Sequence, residues 1–286
     1  MAPARTCRNM RSTSTAEDRT ARKPFIRRRA PVAAVVVAMA VLLAAAWVGG
    51  AAAWRHHGEA RRMQLTEWQT LATAAGDPTA LAALRVAAER GEAAAQTALG
   101  ESLWSRPGVA EREQARAWLA RAAANGDARA HLLLGKAAFL GSPVGEQGAA
   151  ASDKDYAAAW RHLRAAAQAG NAGAAYYLGL LYRGGYGAEP NATQAVRWFQ
   201  VAAEAGVPQA MFMLANAYRD GDGVARDASQ ALAWYEAAAE REHPESIQAL
   251  AMAYRDGELG LDRDERNFRF HLVETAHALK HPALKP

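Results

Sequence analysis

The chain has 286 residues, with 34 Lys and Arg against 29 Asp and Glu, and a formal net charge of +5. The charge is unevenly spread: residues 1–30 carry nine basic and two acidic residues, residues 31–54 carry none, and 25 basic and 27 acidic residues follow. The part able to fold is therefore close to neutral, which disfavours a nucleic-acid-binding protein, because such proteins present a basic surface.

The N-terminal part of the chain predicts a membrane anchor. Residues 1–30 are polar and basic and are expected to form a disordered cytoplasmic leader. The 23 residues 32–54 are uncharged and rich in Val, Leu and Ala, enough for a helix to cross a hydrocarbon core of ~30 Å. We assign residues 31–54 to a transmembrane signal-anchor helix and residues 55–64 to a juxtamembrane linker. The basic charge before the helix places the N-terminus in the cytoplasm and the remainder across the membrane.

Two other arrangements remain open for this segment. Ala51 to Ala53 fit the small-residue cleavage site of a signal peptide, although the leader and the apolar run are longer than signal peptides have. Cleavage there would also release the remainder across the membrane. The third arrangement is a tail anchor that leaves the remainder in the cytoplasm. Cys7 is the only cysteine, so the sequence after residue 54 holds neither a disulfide nor a thiol nucleophile.

A step of 36 residues recurs through the second half of the chain. It links Leu178, Leu214 and Leu250; Tyr182, Tyr218 and Tyr254; Gly185, Gly221 and Gly257; and Trp198, Trp234 and Phe270. A period between 20 and 50 residues with several registered positions is typical of stacked repeats. The sequence therefore predicts a solenoid over residues 65–280, followed by a tail at 281–286. The step from Leu134 to Leu178 is 44 residues, which places an insertion within 141–155.

One unit shows why each repeat should be a pair of helices. Ala210, Leu214 and Tyr218 are spaced at i, i+4 and i+8, which places them on one stripe of a helix. The glycines that follow end this helix, since its end requires a positive φ. Asp227 then stands where a side-chain oxygen caps the next helix, and Asn191 occupies the same position one repeat earlier. On that second helix, Trp234 is expected to fill the gap between adjacent pairs.

Between residues 174 and 206 the sequence follows one pattern, A-x-x-x-L-G-x-x-Y, a glycine-rich turn, and then A-x-x-W-x-x-x-A-A-x-x-G. Its positions are Ala174, Leu178, Gly179, Tyr182, Gly185, Gly187, Ala195, Trp198, Ala202, Ala203 and Gly206. The next copy has Ala215 in place of the glycine of this pattern. The pattern resembles the Sel1-like repeats, relatives of the tetratricopeptide repeat, over about residues 80–275. The resemblance implies an all-α fold, a right-handed α-solenoid of antiparallel helix pairs, and a role as an interaction scaffold rather than an enzyme.

The resemblance also implies where a partner binds. In the tetratricopeptide architecture the first helix of each pair lines a concave groove. Positions two before, two after and five after the buried leucine are then expected to face that groove. In three consecutive units these are Tyr176, Leu180, Arg183, Phe212, Asn216, Arg219, Gln248, Met252 and Arg255, and the preceding unit adds Leu132, Lys136 and Phe139.

Arginine recurs at one of these positions with one-repeat spacing, as Arg183, Arg219 and Arg255. A planar guanidinium suits bidentate binding of a carboxylate. We therefore hypothesise that the groove binds a protein segment that carries acidic groups or a C-terminal carboxylate. The alternative is that the arginines are solvated helix ends paired locally with Asp220 and Asp256.

The sequence predicts no catalytic, cofactor or metal site. Asp220 and Asp222 hint at a calcium loop, but Val224 stands where that loop needs an oxygen ligand, so a turn is the better interpretation. His277 and His281 are four residues apart and lack further ligands at metal-site spacing. Phosphate-binding loops, nucleophile elbows and zinc-protease motifs are absent from the sequence.

Taken together, these patterns predict a single-pass bacterial inner-membrane protein whose solenoid is a periplasmic scaffold or adaptor in the cell envelope. The expected partners are proteins, with membrane contact through residues 32–54, and neither nucleic acid nor a small-molecule substrate is expected. Two alternatives remain. Some relatives resemble β-lactam-binding or hydrolysing enzymes, but those are cysteine-rich and this chain has no cysteine after residue 54. A transmembrane signalling module is the second alternative.

Overall fold

The computed structural model describes residues 58–141 and 154–280, and within these ranges every regular element is an α-helix. The helices are α1 (58–74), α2 (Pro78–Glu89), α3 (Ala93–Trp104), α4 (Val109–Ala124), α5 (Ala128–Leu140), α6 (Tyr156–Gln168), α7 (Ala172–Gly184), α8 (Ala192–Glu204), α9 (Pro208–Asp220), α10 (Ala228–Ala239), α11 (Pro244–Asp256) and α12 (Glu265–Lys280). None of the described helices is long and apolar enough to cross a membrane. The predicted leader, the predicted transmembrane helix at 31–54 and the tail at 281–286 lie outside the described residues.

The helices pack in consecutive pairs, as the repeat predicted. Each pair, from α3/α4 to α11/α12, forms its most extensive packing internally, and the second helix of each pair then packs on the first helix of the next. The first helices α5 and α7 also touch each other directly. The all-α solenoid of helix pairs is therefore confirmed.

The chain begins its helical region earlier than the sequence indicated. Residues 58–64 were expected to be a linker, but they form the first turns of α1. Arg61 explains the difference, because its guanidinium binds the carboxylate of Glu92 at 2.8 and 2.9 Å and lies over the Trp68 ring at 5.3 Å. These contacts hold the start of α1 against the beginning of α3.

Side chains and glycines fix the ends of the helices locally. Asp227 and Asn191 cap α10 and α8, each accepting hydrogen bonds from backbone N–H groups of the first turn, as predicted. Such a cap contributes about 1 kcal/mol. Gly185, Gly221 and Gly257 end α7, α9 and α11 in the left-handed conformation, with φ between 64° and 76°.

Glycine makes the close approach of the two helices within a pair possible. A Cβ atom on Gly179 would lie 2.4 Å from the Phe199 ring, and one on Gly135 would lie 2.6 Å from Leu163. Phe199 is fully buried, whereas the neighbouring Trp198 packs on the core only partly buried. Within the pair α7/α8, the space between the two helices is thus filled mainly by Phe199, the residue after the tryptophan.

Candidate functional site

The structure brings six of the predicted groove positions into two cavities along the first helices. Arg183 and Asn216 line a cavity of about 150 Å³ between α7, α8 and α9. A second cavity, of about 330 Å³ between α9, α10 and α11, has a wall that includes Phe212, Arg219, Gln248 and Met252. We call the surface that carries these cavities, on α7, α9 and α11, the groove face.

Three of the predicted groove residues pack inward instead. Phe139 lies among aromatic rings, 5.8 Å from Tyr177 and 5.5 Å from Tyr186 between centroids. Tyr176 is 5.2 Å from Tyr177, and burial raises the pKa of its hydroxyl to about 12. Leu180 packs against the same core cluster. These side chains therefore stabilise the junction between α5, α7 and α8 more than they shape an open surface.

Two of the three predicted arginines already hold a carboxylate of their own chain. Arg219 binds Asp220 through two hydrogen bonds of 2.7 and 2.9 Å, and Arg255 binds Asp256 through two of 2.9 and 2.8 Å. The hydrogen bonds from these guanidinium groups lower the pKa of both aspartates. Arg183 differs, since its Nη1 donates to the sulfur of Met213 at 2.9 Å. The local-pairing alternative therefore describes Arg219 and Arg255, but not Arg183.

A buried tyrosine reaches the groove face from the second row of helices. Tyr235 of α10 is fully buried, and its hydroxyl donates to Oδ1 of Asn216 at 2.5 Å and accepts from Nη1 of Arg219 at 3.1 Å. Burial raises the pKa of this hydroxyl. The sequence interpretation missed Tyr235. This residue lies one repeat after Phe199, at the same position of its second helix, and that position packs between the two helices of a pair.

A larger cavity lies at the other end of the solenoid, and of the predicted groove positions it contains Lys136. It measures about 570 Å³, lies between α1, α3, α4 and α5, and we call it the N-terminal cavity. Its walls include Gln69, Glu101, Trp104, Arg129, Leu133, Lys136 and Leu140. Glu101 and Trp104 stand two and five residues after Leu99, so the positional rule for the groove would have selected both if it had been extended to this unit.

The charges of the N-terminal cavity are unevenly engaged. Oε1 of Glu101 accepts from Nε of Arg129 at 2.7 Å, and its other oxygen accepts a hydrogen bond from Gln69. The ammonium of Lys136 lies 5.4 Å from the Tyr177 ring, and burial lowers the pKa of that ammonium. The wall of the cavity thus holds one carboxylate and two cations, and one of these cations, Arg129, pairs with the carboxylate.

Within the described residues there is no cluster of three or more side chains suited to a metal ion. One histidine pair spans α5 and α6, with the Nδ1 atoms of His131 and His162 only 2.9 Å apart. At this distance one neutral ring donates a hydrogen bond to the other. Burial lowers the pKa of His162, and the neighbouring His131 and Arg161 lower it further.

Comparison with known sequences and structures places this geometry among repeat proteins. The Sel1 repeat family model matches five consecutive segments, 93–127, 128–171, 172–207, 208–243 and 244–267. These segments correspond to the helix pairs from α3/α4 onward. Comparison with curated protein sequences gave no match.

Several solved structures share the fold. A protective antigen of uropathogenic Escherichia coli with an SLR fold is 31% identical with a TM-score of 0.60, covering 69% of this chain and 41% of the antigen, so this chain spans about two fifths of its length. A Sel1 repeat protein from Oxalobacter formigenes is 29% identical with a TM-score of 0.58, covering 69% and 76%. The immunity protein PA5088 from Pseudomonas aeruginosa is 20% identical with a TM-score of 0.53, covering 78% and 84%, and shows the fold alone.

Proposed function

Because the chain belongs to the Sel1 repeat family, a protein-interaction scaffold fold, we propose that it binds a segment of a partner protein on the groove face. The observation that carries this proposal is the pair of cavities along consecutive first helices, lined by Asn216, Phe212 and Met252 among others. Both apolar and polar side chains line these cavities. We therefore propose a binding role without enzymatic activity.

The three predicted arginines differ in the hydrogen-bond partners that they have within the chain. Arg219 and Arg255 donate hydrogen bonds to Asp220 and Asp256, so a partner carboxylate would have to displace these aspartates. Arg183 is exposed, and its guanidinium donates a hydrogen bond to the thioether sulfur of Met213. We propose that an acidic group of the partner binds at Arg183. Arg183→Glu should then weaken partner binding more than Arg255→Glu.

Site-specific crosslinking tests the groove face directly. A photoreactive amino acid placed at Gln248, which is exposed in the wall of the 330 Å³ cavity, should form crosslinks to a partner in living cells. The same group at Val201, which is 49% exposed on α8 and lines neither cavity, is the matched control. Mass spectrometry identifies the captured protein. Equal capture from both positions would contradict the proposal.

We further propose that residues 32–54 anchor the protein in the bacterial inner membrane, with the N-terminus in the cytoplasm and the repeats in the periplasm. The uncharged 23-residue run and the basic leader before it support this arrangement. The intact mass of the protein from cells distinguishes an anchor from cleavage near Ala53. An alkaline phosphatase fusion after Lys280 should be active if the repeats are periplasmic and inactive if they are cytoplasmic.

Two other functions can be separated from scaffolding by simple assays. Hydrolysis of a chromogenic cephalosporin by the purified protein would favour an enzyme related to β-lactam hydrolases. Loss of function on deleting residues 1–25, with membrane localisation retained, would favour a transmembrane signalling module. We expect neither result, because the sequence after residue 54 has no cysteine and the leader has only 30 residues.

A further inference from the structure

The helix pair α5/α6 departs from the repeat at two positions that face each other. His131 stands where the other first helices carry residues that are only 1% to 5% exposed, and His162 stands where three other second helices carry tryptophan. The corresponding residues are Gln96, Ala175, Met211 and Ile247 in the first helices and Trp118, Trp198 and Trp234 in the second. Two departures from a pattern that meet in one place are expected at a functional site.

The two histidine rings are in direct contact. Their Nδ1 atoms lie 2.9 Å apart and their centroids 5.1 Å apart, with an angle of 45° between the ring planes. A hydrogen bond between the rings satisfies only two of their four nitrogen atoms, and tryptophan at position 162 would bury more apolar surface. Both side chains are half-buried, so an ion can reach them from solvent. Packing alone therefore does not account for the pair.

The backbone holds these rings in place. Gly135, four residues after His131, allows such a close approach of α5 to α6 that an added Cβ would lie 2.6 Å from Leu163, the residue after His162. Neither histidine lines the three cavities described above, so the pair is separate from the groove face. The two Nδ1 atoms are thus preorganised, and a ligand that binds both of them requires little rearrangement.

The distance between the two Nδ1 atoms indicates which ligand fits. Nitrogen atoms that lie 2.9 Å from each other and about 2.0–2.1 Å from one metal ion enclose an angle of about 90° at the ion. This is the angle between neighbouring ligands in the tetragonal geometry of copper(II), an ion that imidazole binds well. In a tetrahedral zinc site the nitrogen atoms would be about 3.4 Å apart. Copper(II) therefore fits the observed distance better than zinc(II).

We propose that His131 and His162 form a bidentate site for a divalent transition-metal ion, with copper(II) preferred, which joins the two helices of this pair. Both Nδ1 atoms bind the metal, and water completes its coordination. The ring that donates the present hydrogen bond loses its proton from Nδ1 and takes one up from solvent at Nε2, so both rings stay neutral and no net proton is released. The two residues are 31 positions apart, so no local spacing motif reveals the site.

Titration of the purified full-length protein with copper(II) chloride tests the proposal. His56, His57, His277 and His281 are replaced by glutamine in every sample, because neighbouring or i,i+4 histidines also bind this ion. We call this protein the reference chain. Calorimetry should give one site per reference chain, and electron paramagnetic resonance should show two nitrogen ligands on the bound copper.

Two substitutions locate the site and protect the fold, because each installs a residue that another unit carries at the same position. These are His131→Ala, after Ala175, and His162→Trp, after Trp198. Each should weaken copper(II) binding at least about tenfold, since loss of a residue that merely orients a ligand already costs a metal site this much. The matched control is His271→Gln, which removes a half-buried histidine paired with Glu274 and should leave the affinity unchanged.

Thermal unfolding gives a second and independent measurement. Copper(II) at a concentration tenfold above its Kd should raise the Tm of the reference chain by about 3 °C, and it should leave the Tm of His131→Ala and His162→Trp unchanged. Circular dichroism checks that both variants keep their helices. Unchanged copper affinity in the two folded variants would overturn the proposal. An equal loss of affinity in His271→Gln, or a resonance signal from fewer than two nitrogen ligands, would also overturn it.

Discussion

The helix pairs from α3 to α8 and those from α9 to α12 are packed by different means. In the first region a glycine of the first helix faces a large apolar residue of the second, as Gly179 faces Phe199 at what would be a 2.4 Å Cβ contact. In the second region Ala215 stands at the glycine position, and Tyr235 stands at the position of Phe199. Tyr235 remains fully buried, but its hydroxyl continues to the groove face and binds Asn216.

The comparison shows that the repeats keep the same spacing of positions along the chain, while the side-chain contacts at those positions differ from one repeat to the next. In the pair α9/α10, Ala215 replaces the glycine, and the hydroxyl of the buried Tyr235 links the interior of the pair to the groove face. Among the residues that the structure describes, the two non-glycine residues with a positive φ both lie in the second region. Glu242 and Leu259 have φ values of 56° and 57°, at positions where Gly206 and Gly223 stand one repeat earlier. The last units therefore depart from the pattern in both packing and turns.

The largest expected effect tests the glycine contact of the first region. Gly179→Ala should lower the free energy of unfolding by about 3 kcal/mol, because the new Cβ overlaps the buried Phe199 ring. The reverse change in the second region, Ala215→Gly, should cost only about 1 kcal/mol, as expected from helix propensity. Urea unfolding of both variants measures the contrast. Equal losses would remove the distinction between the two regions.

The histidine pair of the first region predicts a pH dependence. The pKa of His162 is lowered in the folded protein, mainly by burial, so the folded chain binds fewer protons than the unfolded chain. The stability linked to this residue is therefore present above the unfolded pKa of about 6.5 and is lost as the pH falls through it towards the native pKa.

Replacing this histidine isolates its share of the pH dependence. His162→Gln should reduce the slope of unfolding free energy against pH between about pH 7 and pH 5, by at most about 1.4 kcal/mol per pH unit. His243, whose pKa is also lowered by burial, keeps its own contribution in this variant. Chemical unfolding at a series of pH values measures the slope. An unchanged slope would show that the protonation of His162 is not linked to folding.

The hydroxyl of Tyr235, in the second region, should contribute a smaller amount to the free energy of unfolding. Tyr235→Phe removes the hydrogen bonds to Asn216 and Arg219 but keeps the ring, so the expected loss is about 1 kcal/mol. Phe199→Tyr is the matched change in the first region, where Gly179 stands beside the ring. If Tyr235→Phe is as stable as the parent protein, the hydrogen bonds that join Tyr235 to Asn216 and Arg219 do not stabilise the fold.

The smallest effect concerns the strained turn before α11. Glu242→Gly should stabilise the protein by about 1 kcal/mol, because glycine adopts the left-handed conformation without a Cβ penalty. Gly206→Glu, at the same position one repeat earlier with φ 91°, should destabilise it by a similar amount. Thermal unfolding of the two variants gives the comparison. Shifts in the same direction would argue against strain as the cause.

The sequence predicted the fold closely and the site only in part. The leucine positions, the caps at Asn191 and Asp227 and the glycine turns follow from spacing within one helix or one turn, and the structure contains them. The groove positions followed from a register rule, which brought Arg183 and Asn216 to a cavity but sent Phe139 into an aromatic cluster. A rule based on spacing from the buried leucine specifies the side of the helix on which a residue lies. It does not specify which side chains the neighbouring helices bring to that side.

By itself, then, the sequence determined the helix pairs, their caps and their repetition, because these depend on dihedral preferences and on hydrogen bonds across a few residues. Only the tertiary structure decided which charges are engaged and where space remains. Arg219 pairs with the adjacent Asp220, as local spacing suggested, but its further hydrogen bond goes to a tyrosine from another helix, 16 residues away. The N-terminal cavity needs side chains from four helices, and no local pattern records how closely those helices approach.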